Sequence, residues 1–250
     1  MTSSEVDASR GDQEPLKNEP ETTSKRKKPL PVWQEVILLL VTAFVLALVV
    51  KTFFVQAFYI PSGSMEPTLQ IDDKILVQKI SYWTGEIERG DIAVFDDPGG
   101  WLRQGQASAP RNAVQQALEM VGLYPSGGHL VKRVIGIGGD TVRCCNRAGK
   151  VVVNGVALEE DYLPENTTNQ GAYTVTVPEG RLWVLGDNRA NSEDSHAHTG
   201  DPGGGFVDEE DVVGKVWAVV WPRGRMQTID RPEVYEDQAL EEARDAASGE

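Results

Sequence analysis

The chain has 250 residues and a formal net charge of −14. Such an acidic balance argues against a nucleic-acid binder, which needs a basic face to neutralise phosphates. Setting aside one long apolar segment and two polar ends leaves roughly 170 residues to fold, enough for one domain or a domain with an insertion.

Much of the acid lies at the ends. Residues 1–24 carry six Asp or Glu against Arg10 and Lys17, a net of −4. Residues 227–250 carry eight against Arg231 and Arg244, a net of −6. Runs of this kind are usually solvated, so residues 1–32 and 225–250 are expected to be disordered tails.

After Lys25-Arg26-Lys27-Lys28, Pro29 and Pro31 comes Val36 to Val50, a run without one charge. With Trp33 at one edge and Phe53-Phe54-Val55 at the other, it reaches the roughly 20 residues needed to cross a bilayer as a helix. A core helix would normally show a polar stripe, and this run has none. A cleaved secretory signal would start near residue 1 and end at a small-residue site. The segment 33–55 is therefore expected to be a transmembrane helix. The basic run before it predicts a cytoplasmic N-terminus and an extracytoplasmic remainder.

From residue 56 to 224 the chain predicts strands: Lys74–Val77, Asp91–Phe95, Leu130–Ile137, Val151–Val153, Tyr173–Val177, Leu182–Leu185 and Val216–Trp221. They are short, rich in β-branched and aromatic residues, and bounded by Gly, Pro, Asn or Asp. Asn154-Gly155 favours a tight hairpin. Residues 98–128 are Gly- and Ser-rich and predict an insertion, with a helical pattern only over Asn112–Val121. With no alternation of strand and helix, the expected fold is mainly β and antiparallel.

The two cysteines, Cys144 and Cys145, are adjacent. Across a trans peptide their Cα atoms would be about 3.8 Å apart, below the usual disulfide range, so a strained bridge and a thiol pair both stand open. No spaced ligand pattern points to a metal, and no cofactor is expected.

Three clusters could carry chemistry. In Ile60-Pro61-Ser62-Gly63-Ser64-Met65-Glu66-Pro67-Thr68-Leu69, two prolines and a glycine stiffen a turn that holds two serines. A plain surface loop would read the same way. A serine needs a base to become a nucleophile. One source is a histidine (His129, His196 or His198), held as in a triad. The other is Lys132, in the apolar strand-like run His129–Gly136, where burial would lower its pKa. A lysine snorkelling from a strand edge is the alternative. The third cluster, Gly186–Ser195, packs Asp187, Asn188, Arg189, Ser192, Glu193 and Asp194 into one loop; its spacing fits no EF-hand.

Behind an apolar helix these motifs come in the order PSGSMEPTL (61–69), GDIAVF (90–95), KRVIGIGGD (132–140), GDNRANSEDS (186–195) and GFVDEEDVVGK (205–215). In that order they resemble bacterial type I signal peptidases, or leader peptidases, in their single-span form, over roughly residues 30–224. The resemblance implies a coiled antiparallel-strand catalytic domain and a membrane-bound serine endopeptidase that removes signal peptides from exported preproteins through an acyl-enzyme. It implies Ser64 as nucleophile and Lys132 as general base. Ser62 would assist the oxyanion hole, and Ser192 would orient the amine. Arg133 with Asp187, and Asp194, would hold the surrounding loop. Phe58, Ile60, Met65, Leu69 and Val131 would line pockets for small side chains. The implied partners are signal peptides of secreted preproteins and membrane lipid, with no nucleic acid.

Two departures stand out. Gly136-Ile137-Gly138-Gly139-Asp140 replaces the usual Gly-x-Pro-Gly-Asp, and His196 stands where Arg is common. Rival readings are a self-cleaving repressor peptidase, which would carry a DNA-binding domain; a penicillin-binding enzyme, whose Ser-x-x-Lys needs one helical turn; and a non-catalytic membrane-anchored β-domain.

Overall fold

The computed structural model describes residues 31–53, 55–79, 87–102, 112, 128–164 and 171–248, with side chains described outside 48–53 and 247–248. The chain divides into two units, Met1–Thr42 and Ala43–Glu250. Residues 1–30 and nearly all of the expected insertion, including the helical pattern after Asn112, lie outside the described residues.

Helix α1 covers Val32–Phe53. Its large apolar side chains, among them Leu39, Leu40 and Phe44, are exposed. Among the described residues no helix is long and apolar enough to cross a membrane; the apolar run from Leu48 onward lies outside the described side chains.

The second unit is built on antiparallel strands, as expected. They are β1 (Val55–Tyr59), β2 (Lys74–Gln78), β3 (Ile92–Asp96), β4 (His129–Gly136), β5 (Thr141–Cys144), β6 (Val152–Val153), β7 (Val156–Ala157), β8 (Tyr173–Thr176), β9 (Arg181–Leu185), β10 (Val207–Asp208), β11 (Val212–Trp221) and β12 (Gln227–Thr228). The larger sheet runs β1-β2-β11-β3-β4-β9-β10, with β12 on β11; the smaller runs β7-β6-β5-β8.

Burial follows the pleat. In the central strand β3, Ile92 and Val94 join one apolar cluster with Ile75, Val77, Val216 and Val219. The alternate residues Ala93 and Phe95 join another with Trp101, Val134, Leu182 and Val184. A strand covered on both faces has no reason to alternate, so Ile92-Ala93-Val94-Phe95 is apolar throughout. A third cluster, with Trp183, Leu185, Val142 and Val153, brings together residues of the two sheets.

Strand β11 runs through Gly214 and Lys215, which in sequence break the apolar pattern. A Cβ on Gly214 would sit 2.5 Å from the Gln78 carbonyl oxygen. The glycine therefore lets β2 approach closely instead of ending the strand. The Asn154-Gly155 hairpin forms as expected, with φ of 51° and 87° joining β6 to β7. The turn after β4 closes without proline: Asp140 Oδ2 accepts from the Ile137 N–H at 2.8 Å. Cys144 and Cys145 are joined by a disulfide.

The C-terminal segment departs from the expected disordered tail. Residues 229–237 wrap onto the domain, and helix α2 covers Gln238–Ser248. Tyr235 and Leu240 are 4% and 0% exposed, and both belong to the third cluster. Charge made this segment look solvated, but two well-placed apolar side chains are enough to dock it.

Candidate active site

Strand β1 ends at Tyr59, and the chain turns through 60–73 before β2 begins. Backbone bonds between Ile60 and Asp73 (3.0 Å) and between Asp72 and Ile60 (3.0 Å) close this loop at its base. Met65 and Leu69 point into the apolar cluster below and are 1% and 0% exposed. Ser64 is thus flanked by an anchor on its C-terminal side, while Ser62 stays exposed at the surface.

Lys132 comes from the middle of β4, opposite Ala93 on β3. The small partner leaves room for a long side chain, which is 3% exposed as a residue. Its Nζ donates to Ser64 Oγ at 2.8 Å. Burial pushes the amine down to about 8, against the opposing pull of Asp194, Glu193 and Asp187. The snorkelling alternative is thereby excluded. Ser62 Oγ lies 3.5 Å from Ser64 Oγ.

The loop after β9 supplies the frame. Asp187, fully buried, takes Arg133 in a fork, with Nε at 2.8 Å and Nη2 at 2.6 Å. It also accepts from Thr68 Oγ1 at 2.6 Å. Burial alone would lower the Arg133 pKa, but the Asp187 carboxylate raises it overall, so the guanidinium stays charged. Asp194 Oδ2 accepts from the Gly186 N–H at 3.0 Å, and its Oδ1 from the His196 N–H at 3.3 Å. Asp194 thus bonds the backbone of His196, whose ring leans on Tyr173 at 5.0 Å.

Two residues of this loop carry more than the sequence suggested. Asn188 donates its backbone N–H to the Ser64 carbonyl at 3.0 Å and its side-chain amide to the Gly63 carbonyl at 3.0 Å. A Cβ on Gly186 would lie 2.3 Å from Ser192 Oγ and 2.4 Å from the Ser64 carbonyl oxygen. Both residues sit inside the 186–195 motif, but only the fold shows which backbone they touch.

Ser192 Oγ is buried beside Gly186 and has no hydrogen-bond partner among the described residues. It therefore lies near Ser64 without bonding the lysine. Phe58, Ile60, Met65 and Leu69 are buried in one cluster, with Val131 half-buried against it. The histidines serve elsewhere. His129 Nδ1 lies 2.7 Å from Asp96 and its ring meets Phe58 edge-on. His198 pairs with Asp201 and stacks on Trp101 at 4.5 Å. Among the described residues no group of His, Cys, Asp and Glu could hold a metal ion.

A serine oxygen held by a buried amine of lowered pKa is an arrangement for activating a nucleophile without histidine. Comparison with known proteins identifies the family. The family model of signal peptidases, peptidase S26, matches residues 33–221. A probable signal peptidase I of Mycobacterium leprae is 40% identical over 234 residues, 81% of this chain and 80% of that protein. Signal peptidase I of Mycobacterium tuberculosis is 39% identical over 246 residues, 88% of this chain and 82% of that protein. Signal peptidase I U of Bacillus subtilis is 32% identical over 209 residues, 80% of this chain and 94% of that protein. With the motifs, the strand-built domain and these relatives in accord, the chain belongs to the signal peptidase family, peptidase S26, and is a serine endopeptidase.

Proposed function

We propose that this protein is a membrane-bound endopeptidase that removes signal peptides from exported preproteins with a Ser64/Lys132 dyad. The observation that carries the reading is the 2.8 Å bond from Lys132 Nζ to Ser64 Oγ, made by an amine whose pKa burial has lowered to about 8. At pH 7 about a tenth of such an amine is neutral, and the fraction grows tenfold per unit below the pKa.

In the reaction, neutral Lys132 takes the Ser64 proton as Oγ attacks the scissile carbonyl. The ammonium then protonates the leaving amine. Lys132 next activates water to release the acyl group. The Ser62 hydroxyl and the Ser64 N–H hold the oxyanion; losing one such donor costs about 10²–10³ in rate. Ser192 Oγ, buried and unbonded beside Gly186, is the hydroxyl available to orient the amine once substrate displaces the Ser64 bond. The Arg133–Asp187 fork and Asp194 hold the two loops in register.

Phe58, Ile60, Met65, Leu69 and Val131 form the apolar wall met by the residues before the cut. Four of them are already packed in a core cluster. We assign to this wall the shallow pockets that suit small side chains such as those of an Ala-x-Ala end. An extended peptide would add along a strand edge and send alternate side chains into them. Residues 33–55 serve as the single membrane span, with the N-terminus cytoplasmic and the catalytic domain extracytoplasmic.

The test is cleavage of an exported precursor by the purified full chain in detergent or lipid. Cut at the signal-peptide junction is expected, with loss of activity in Ser64→Ala and in Lys132→Ala. Full activity in Lys132→Ala would sink the dyad. Loss of all activity in a His129/His196/His198 triple alanine variant would restore a triad.

A further inference from the structure

The family match ends at residue 221, yet the chain continues in ordered contact with the domain. Arg225 pairs with Asp73 at 3.0 Å and donates to the Thr68 carbonyl at 3.3 Å, so it grips the nucleophile loop directly. Glu241 of α2 joins Arg89 at 2.6 Å, where Arg89 already forks onto buried Asp140. Between these two anchors lies Tyr235.

Tyr235 Oη donates to Glu160 Oε1 at 3.0 Å and lies 2.9 Å from Tyr162 Oη, which donates to the same carboxylate oxygen at 2.5 Å. Burial first, and then the Glu160 charge, pushes the Tyr235 pKa well above the usual tyrosine value. The hydroxyl is thus a fixed donor. Glu160 in turn takes Arg189 on both oxygens, at 2.8 and 2.5 Å, with Arg189 1% and Glu160 7% exposed at the side chain. Arg189 Nε donates to the Gly186 carbonyl at 3.0 Å. The Tyr162 ring lies under the Arg133 guanidinium at 4.3 Å, and Arg133 holds Asp187. Gly90 leaves the space this needs: a Cβ there would meet the Tyr235 ring at 2.6 Å.

We infer that Tyr235, in a segment beyond the family match, is a positioning residue for the peptidase reaction. Its hydroxyl completes the shell of Glu160. Glu160 then fixes Arg189 and Tyr162, and these set the 186–188 turn whose Asn188 holds the Ser64 carbonyl. The inference rests on the Ser64/Lys132 reading for its kinetic consequence, but its structural consequence does not need that reading.

The experiment compares the full-length protein with Tyr235→Phe, Glu160→Gln, the double variant, and Val153→Ala. The last is a core truncation in the smaller sheet, within the apolar cluster that Tyr235 joins but outside these hydrogen bonds, so it removes packing and leaves the polar contacts in place. Expected for Tyr235→Phe is a fall in kcat of about tenfold with KM unchanged, and no further fall when it is added to Glu160→Gln. The exchange of the Asn188 amide hydrogen should quicken severalfold in Tyr235→Phe and not in Val153→Ala at a comparable loss of thermal stability. Unchanged Asn188 exchange in Tyr235→Phe, or an equal change in Val153→Ala, overturns the inference. Amide exchange requires no substrate, so it decides the matter even if the wild-type protein and Ser64→Ala prove equally inactive, a result that would instead defeat the proposed function.

Discussion

Lys132 and Ser64 reach the same point from two kinds of structure. Lys132 stands in the middle of β4, with β3 and β9 on either side. Its position is set by the ladder, and its pKa by burial in the sheet. Ser64 stands in an irregular turn closed at its base by backbone bonds among Ile60, Asp72 and Asp73. Its place is held by groups borrowed from far away in sequence: Asn188 on its carbonyl, Thr68 tied to Asp187, Arg225 on Thr68. In the proposed dyad, the strand sets the state of the base and the loop contacts set the aim of the nucleophile. Substitutions in the two regions should fail in different ways.

The largest effect belongs to the strand side. Lys132→Met keeps the shape but removes the proposed base, and activity should fall by at least about a thousandfold, within the range one proton-transfer group typically contributes. The fold should not suffer. A lysine of ordinary pKa 10.5 that is lowered to about 8 on folding binds fewer protons folded than unfolded between those values. Stability from this group therefore rises with pH from about 8 to 10.5, and below 8 the folded state carries the full penalty, of order 3 kcal/mol. Relative to wild type, Lys132→Met should gain stability at pH 7 and lose that advantage by pH 10.5. Denaturant melts at the two pH values check it; a variant less stable than wild type at pH 7 would mean that the bond to Ser64 outweighs the burial penalty.

Next comes the loop side, through Gly186. A methyl group there would collide with Ser192 Oγ and the Ser64 carbonyl, and backbone cannot yield cheaply. Gly186→Ala should lose at least about a hundredfold in kcat, by displacing the nucleophile about 1 Å, while Lys132 keeps its lowered pKa. Gly224→Ala, with nothing within 4 Å of the added carbon, is the control and should match wild type. A smaller loss is expected for Asn188→Ala, which removes the bond to the Gly63 carbonyl but leaves the backbone bond to Ser64. About a fivefold fall in kcat follows from one hydrogen bond, and steady-state kinetics at saturating peptide will measure it.

The same division explains what could be read in advance. Many strands were legible because burial leaves a local pattern: the unbroken apolar run of β3 in the larger sheet and the Asn154-Gly155 turn in the smaller need no partner to be recognised, whereas the edge strands β1, β10 and β12 were not read. The motifs singled out Ser64, Lys132 and the Asp187 loop, which the fold brings together; their catalytic roles remain the proposed reading. Partner choice was not. Nothing near Gly214 says that β2 approaches it, so the glycine read as a strand end. Nothing near Asn188 names Gly63 and Ser64 as its acceptors. The C-terminal segment misled for the same reason: its acidic residues face solvent, and Tyr235 and Leu240 count only once Gly90, Glu160 and the third cluster are in place.

The smallest predicted effect tests whether burial or charge governs the base. Burial is the leading cause of the lowered Lys132 pKa, and three carboxylates oppose it, Asp194 first and Glu193 second. Glu193 is exposed, so its contribution is screened by solvent. In wild type, kcat/KM should rise about tenfold per pH unit and level off near 8, as the amine loses its proton. Glu193→Gln removes an opposing charge without changing the burial. The inflection should move to lower pH, by about a few tenths of a unit for a screened interaction. More of the amine is then neutral at pH 7, and activity there should rise slightly while the plateau stays the same. A shift to higher pH would reverse the sign assigned to the carboxylates. A shift of more than a unit would mean that charge, not desolvation in the sheet, sets the state of the base.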